Sequence, residues 1–71
     1  MKSVVISGTN NAELSFICET VGFESGFIKM TNAKLEGTNN MQEESYMSLK
    51  AIDIIVINDM VIDVAKEKED E

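Results

Sequence analysis

The side chains in this sequence that could do chemistry are 13 carboxylates, six lysines, one thiol and one phenol; there is no His. Without His, neither a Ser–His–Asp triad nor a Cys–His pair can form. Zinc sites built on His or on four Cys are equally excluded. Cys18 has no second Cys to bridge within the chain and no His to lower its pKa, so it reads as a small core hydrophobe in a reducing compartment. Acid–base catalysis would have to fall on carboxylates, Lys or Tyr46. Asp53 and Asp63 are the pair to inspect for it. Asp53, Asp59 and Asp63 cluster around one expected hairpin, where Asp59, Asp63 and loop carbonyls could face a cation. No calcium-loop spacing accompanies them, so the reading is no metal, no cofactor and no enzyme.

Gly22 and Gly26 flank Phe23-Glu24-Ser25 without opening a helix, which rules out a phosphate cradle and leaves a turn. Phe23, an aromatic held between two turn glycines, either caps the end of the domain or contacts a partner. The acid is concentrated in two places, Glu43-Glu44 and the run that carries Glu67, Glu69, Asp70 and Glu71. Phe23, Glu43, Glu44, Glu67 and Glu69 are therefore the candidate partner-binding residues.

The formal net charge is −7. That sign disfavours direct nucleic-acid binding and anionic membranes, and suits basic partners. No run approaches the ~18 apolar residues of a membrane span. The first eight residues lack the apolar region of a signal peptide, so a soluble, cytoplasmic protein is expected. Seventy-one residues make one domain that buries about 60% of its unfolded surface. So thin a core is often completed by oligomerisation. The five Met read as core fillers.

The elements that must position these residues are strands. Residues 2–7 are β-branched at their centre, and residues 12–20 alternate Leu14, Phe16 and Cys18 with polar neighbours, broken only by Ile17. Residues 21–26 read as a turn region. Residues 27–31 form a strand that bends or bulges at Asn32-Ala33 and continues through 34–36. Residues 37–44 read as the main mobile loop and 45–50 as a strand with Tyr46 and Ser48 on one face and Met47 and Leu49 on the other. A helix over 39–51 is the competing expectation. A 3₁₀ turn is expected at 51–53. Ile54, Ile55, Val56 and Ile57 form a strand apolar on both faces, one for the core and one for a partner subunit or covering element. Asn58-Asp59 is a two-residue hairpin signal, and 60–65 returns as the last strand. The domain covers 1–65, followed by a charged, solvated, disordered tail at 66–71.

Five to six short antiparallel strands of this spacing describe an all-β small barrel. The bent strand at 27–36, the polar loop, Tyr46-Met47-Ser48-Leu49, the one-turn link and Ile54-Ile55-Val56-Ile57 together resemble the SH3-like and Sm-like barrels over residues 12–58. The resemblance implies barrel closure by the last strand. It also implies a possible Sm-like ring, with Ile54, Ile55, Val56 and Ile57 pairing with a neighbour's edge. Sm-type RNA binders hold a base with an Asp and an Asn in the bent-strand loop, where only Asn32 fits here. Lys50-Ala51 stands near their basic-residue–Gly signature, so the RNA site is not carried over. The reading is a non-enzymatic binding module that self-associates into a dimer or ring able to hold a protein or small ligand. The alternative is an acidic inhibitor of a basic or nucleic-acid-binding host protein. In size and charge the chain resembles small acidic inhibitors encoded by phages.

Overall fold

A computed structural model describes the backbone of residues 1–69 and the side chains of residues 1–66. The elements are β1 (Lys2–Gly8), β2 (Glu13–Cys18), β3 (Thr20–Glu24), β4 (Phe27–Leu35), β5 (Met41–Ser48), a 3₁₀ turn (Leu49–Ala51), β6 (Ile52–Ile57), β7 (Met60–Asp63) and a short helix α1 (Val64–Glu69). The seven strands form one antiparallel sheet in the order β3-β4-β2-β1-β6-β7, with β5 on the remaining side of β4. The sheet curls into a half-barrel, so the expected all-β, barrel-like fold is observed with one strand more than expected.

Three local devices produce the curl. The first is the break at Glu19, where the chain passes from β2, paired with β1 and the end of β4, to β3, paired with the start of β4. Opposite that break Asn32 sits at φ +47, as its tolerance of left-handed angles predicts. Its Nδ2 donates to Glu19 Oε2 at 3.0 Å, and the Glu19 N–H donates to the Thr31 carbonyl at 2.9 Å. The second device lies where β1 meets β6. Ser7 faces Ile54 and Gly8 faces Ile52, which leaves Asp53 as the extra residue of a bulge. The bulge resets the alternation, so Ile52 joins Ile55 in the core. Gly8 allows a close crossing here: a Cβ would lie 3.2 Å from Asn10 Oδ1 and 3.3 Å from the Ala51 carbonyl, so these neighbours would have to shift by a few tenths of an ångström.

The third device is a pair of two-residue turns with positive φ at both positions, Ser25-Gly26 and the expected Asn58-Asp59. Asn58 also ties the hairpin to the first strand. Its N–H donates to the Ser3 carbonyl, and its Oδ1 accepts from the Ser3 N–H, each at 2.9 Å. The core lies on the concave side and is built from Val4, Ile6, Cys18, Ile28, Met30, Ala33, Ile52, Ile55 and Val64. Among the described residues no polar side chain is buried.

Four expectations are corrected. Residues 21–24 belong to β3 and not to a turn, because two residues, Ser25-Gly26, suffice to reverse the chain. The polar stretch at 37–44 is a loop only as far as Asn40. From Met41 onward it pairs with β4, with Met41 opposite Lys34, Gln42 opposite Ala33 and Glu44 opposite Thr31. An available strand edge decides against composition here, and against the competing helix. The 3₁₀ turn falls at Leu49–Ala51, two residues earlier than expected, capped by Ser48 Oγ accepting from the Lys50 N–H. The last strand stops at Asp63, so Val64 and Ala65 leave the expected strand, and helix α1 runs through residues 66–69, where a disordered tail was expected. Asp63 Oδ1 accepts from the Lys66 N–H at 2.9 Å, an N-cap bond that starts the helix, and buried Val64 anchors it. The rest of the expected tail, Asp70 and Glu71, lies outside the described residues.

Candidate functional site

A strand shows alternate residues to its two faces. In β1, Val4 and Ile6 point into the half-barrel, so Ser3, Val5 and Ser7 point out. The register carries this outward set across four strands. Val5 lies opposite Ser15 on β2 and Val56 on β6, and Val56 lies opposite Val61 on β7. In the adjoining rows Ser3 faces Ile17, and Ser7 faces Ile54. The convex face of β2-β1-β6-β7 thus carries Val5, Ile17, Ile54, Val56 and Val61, interspersed with Ser3, Ser7 and Ser15. Among the described residues charged side chains enter at its rim: Glu13 beside Ser7, Lys34 beside Ile17, Asp63 beside Ile54, and Asp53 in the bulge next to Ile54. Val61 is 65% exposed and Ile54 38% exposed.

This face divides the expected interface strand in two. Ile55 is fully buried and Ile57 packs against the core, whereas Ile54 and Val56 face outward. Strand β6 also has β1 on one side and β7 on the other. Its edges are satisfied within the chain, so residues 54–57 offer no free edge for a neighbour's strand. Among the described residues the strands with one open edge are β5 and β7, together with β3, whose sole ladder partner is β4.

Phe23 is half-exposed, but on the concave side, opposite Ile28. With Leu49, Ile62 and Val64 it lines an apolar cleft of about 440 Å³ at the open mouth of the half-barrel. Glu44 points to the outer face opposite Thr31, and Glu43 is exposed on the same strand. Phe23 and Glu44 therefore belong to opposite faces and do not form one surface. Glu67 and Glu69 fall on the backbone of α1, with side chains outside the described residues. The three aspartates are separated by role: Asp53 in the bulge, Asp59 in the turn at φ +73, Asp63 capping α1. No group of three or more acidic or Cys side chains converges as a metal site among the described residues.

A second patch escapes the one-dimensional reading. On the outer face of β3-β4-β5, Lys29 lies between Gly22 and Tyr46, and Phe27 between Glu24 and Ser48. Lys29 Nζ is 5.5 Å from the centre of the Tyr46 ring and 4.0 Å from Glu24 Oε2. A side-chain hydrogen bond to Tyr46, and then the charges of Tyr46, Glu44 and Glu24, raise the Lys29 pKa above its ordinary value. The signal for this patch is the period-two spacing of Phe27 with Lys29 and of Glu44 with Tyr46. It becomes legible only once β4 and β5 are paired in register. Cys18 has no such company: burial pushes its thiol pKa up, against smaller lowering effects of Lys2 and the N-terminal amine.

No protein family, curated protein or solved structure matches this chain.

Proposed function

We propose that this chain is a cytoplasmic, non-enzymatic binding module of the SH3-like or Sm-like small-barrel type, and that it self-associates through the convex face of β2-β1-β6-β7. The strand order β5-β4-β2-β1-β6, with a 3₁₀ turn between β5 and β6, supports the barrel type. The observation that carries the association is the uncharged outer row Val5-Val56-Val61 with Ile17 and Ile54 beside it. A chain of net charge −7 meets a second copy with least repulsion where neither presents a charge. β-Branched side chains on a sheet face also present rigid apolar surface. A two-fold arrangement would place the same residues on both sides of the interface. Sedimentation across a concentration series tests this reading: a monomer–dimer or higher equilibrium that persists in ~1 M salt is expected, because apolar contact is not screened. A strict monomer at high micromolar concentration overturns it.

The second reading is an acidic inhibitor of a basic protein, and the observation favouring it is Glu43-Glu44, exposed on the open-edged strand β5. Pull-down of basic proteins that weakens when both residues are changed to Lys supports that reading, and an unchanged set of partners counts against it.

A further inference from the structure

We propose that the outer face of β3-β4-β5 is an arginine-recognition patch, in which the Tyr46 ring receives a partner's guanidinium and Glu44 supplies the counter-charge, with Phe27 and Glu24 as the adjoining lobe. This deepens the acidic-inhibitor reading and stands apart from self-association, which uses the other sheet face.

The chemistry starts from the register. Tyr46 and Glu44 are two residues apart on β5 and share its outer face, and Phe27 and Glu24 are direct cross-strand partners on the same face. Phe27 and Tyr46 are diagonal neighbours, at a separation of about 7–8 Å that a planar side chain can bridge. Each exposed ring therefore has a carboxylate at its side. A ring face attracts a cation, and a carboxylate accepts two parallel N–H bonds from a guanidinium, so the combination suits Arg better than Lys.

The ring already faces one cation. Lys29 holds its ammonium over the Tyr46 ring at 5.5 Å, so the ring is a cation acceptor in this fold. One internal cation does not saturate it. Tyr46 remains 54% exposed and Phe27 43% exposed, and two carboxylates flank one lysine. Strand β5 has an open edge beyond Tyr46, which leaves the ring approachable from that side. On the other side, Gly22 puts no side chain beside Lys29, and a Cβ there would meet nothing within 4 Å. Net charge favours the same occupant: a chain at −7 draws a basic segment toward itself before any specific contact forms.

The test is titration of the full chain with a nona-arginine peptide and, separately, a nona-lysine peptide at about 0.15 M salt, followed by calorimetry and by the Tyr46 ring resonances. Nona-arginine is expected to bind more tightly than nona-lysine. Tyr46→Leu, which changes no charge, should weaken nona-arginine binding about fivefold, while Tyr46→Phe should retain it. Glu44→Gln should also weaken it, and more than Glu13→Gln, which removes the same charge elsewhere. Val61→Ser should leave it unchanged, since that residue lies on the association face. Wild-type affinity in Tyr46→Leu overturns the patch. If binding then still falls on charge reversal at Glu43, the acidic-partner reading survives without this site. No binding of either peptide overturns both.

Discussion

Replacing Val61 with Ser probes the proposed association face with little risk to the fold. Val61 sits on edge strand β7, outward-facing and 65% exposed, opposite half-buried Val56. The substitution loses some β-propensity, less than about 1 kcal/mol on an edge strand. Fully burying a Val side chain contributes about 1.5 kcal/mol, and roughly two-thirds of that remains to be gained when a partner covers this residue, about 1 kcal/mol. In a two-fold interface each substitution is counted twice, so dimerisation weakens by about 2 kcal/mol, or about thirtyfold in Kd. In a head-to-tail contact it is counted once, and the loss is about fivefold. Sedimentation equilibrium on both proteins therefore reports whether the face is used and by which symmetry. Tyr46→Leu, on the other sheet face, should leave the curve within twofold of wild type. Identical association by Val61→Ser and wild type refutes the reasoning.

Ile55→Ala should cost about 2–5 kcal/mol, because Ile55 is fully buried among Val4, Ile6 and Val64 and the cavity cannot fill; a thermal melt lowered by less than about 5 °C would be inconsistent with that packing. Asn58→Ala forces an ordinary side chain to φ +46 and deletes the acceptor for the Ser3 N–H, for about 2 kcal/mol, whereas Asn58→Gly restores the backbone freedom and should cost about half as much. Denaturant midpoints that do not rank wild type, Gly, Ala would argue against this tie. Cys18 should react with a disulfide reagent only as fast as the chain opens, and full labelling within the mixing time of a native sample would contradict its burial. Its raised pKa also gives a sign. Above the thiol's ordinary value the unfolded chain releases the proton more readily than the folded one, so stability falls as pH rises. Cys18→Val should flatten that alkaline decline.

What the sequence makes legible follows from how local each signal is. The strand at 2–7, the alternation of Leu14, Phe16 and Cys18, the left-handed Asn32 and the Asn58-Asp59 hairpin are each decided within a few residues, and each appears in the fold. Strand β3 is different. Val21-Gly22-Phe23-Glu24 contains a glycine and sits beside another, and only the neighbouring edge of β4 makes it a strand. The same holds for Met41-Gln42-Glu43-Glu44, a helix-forming composition drawn into the sheet by β4. The apolar pair Val64-Ala65 before the charge run reads as the end of a strand, and only the cap at Asp63 and the burial of Val64 turn it into a helix. The two candidate faces divide in the same way. The surplus of apolar residues at 54–57 announces an apolar outer face, but which two of the four face outward depends on the bulge at Asp53. The Lys29-Tyr46 patch depends on a pairing between residues 17 apart and leaves no local trace.

The placement of β1 has a consequence for synthesis. It is the first of the described strands to be made, yet it sits between β2 and β6, and the residue that ties down its beginning is Asn58. Until residues 52–57 have been translated, Val4-Val5-Ile6 has a partner on one side only. Between the synthesis of β1 and that of β6 the chain carries an open β-branched edge, the kind of edge that recruits neighbouring nascent chains. Truncation before β6 should yield an insoluble fragment and not a smaller domain. The order in which the ribosome releases the strands is thus as much a part of this fold's risk as its thin core.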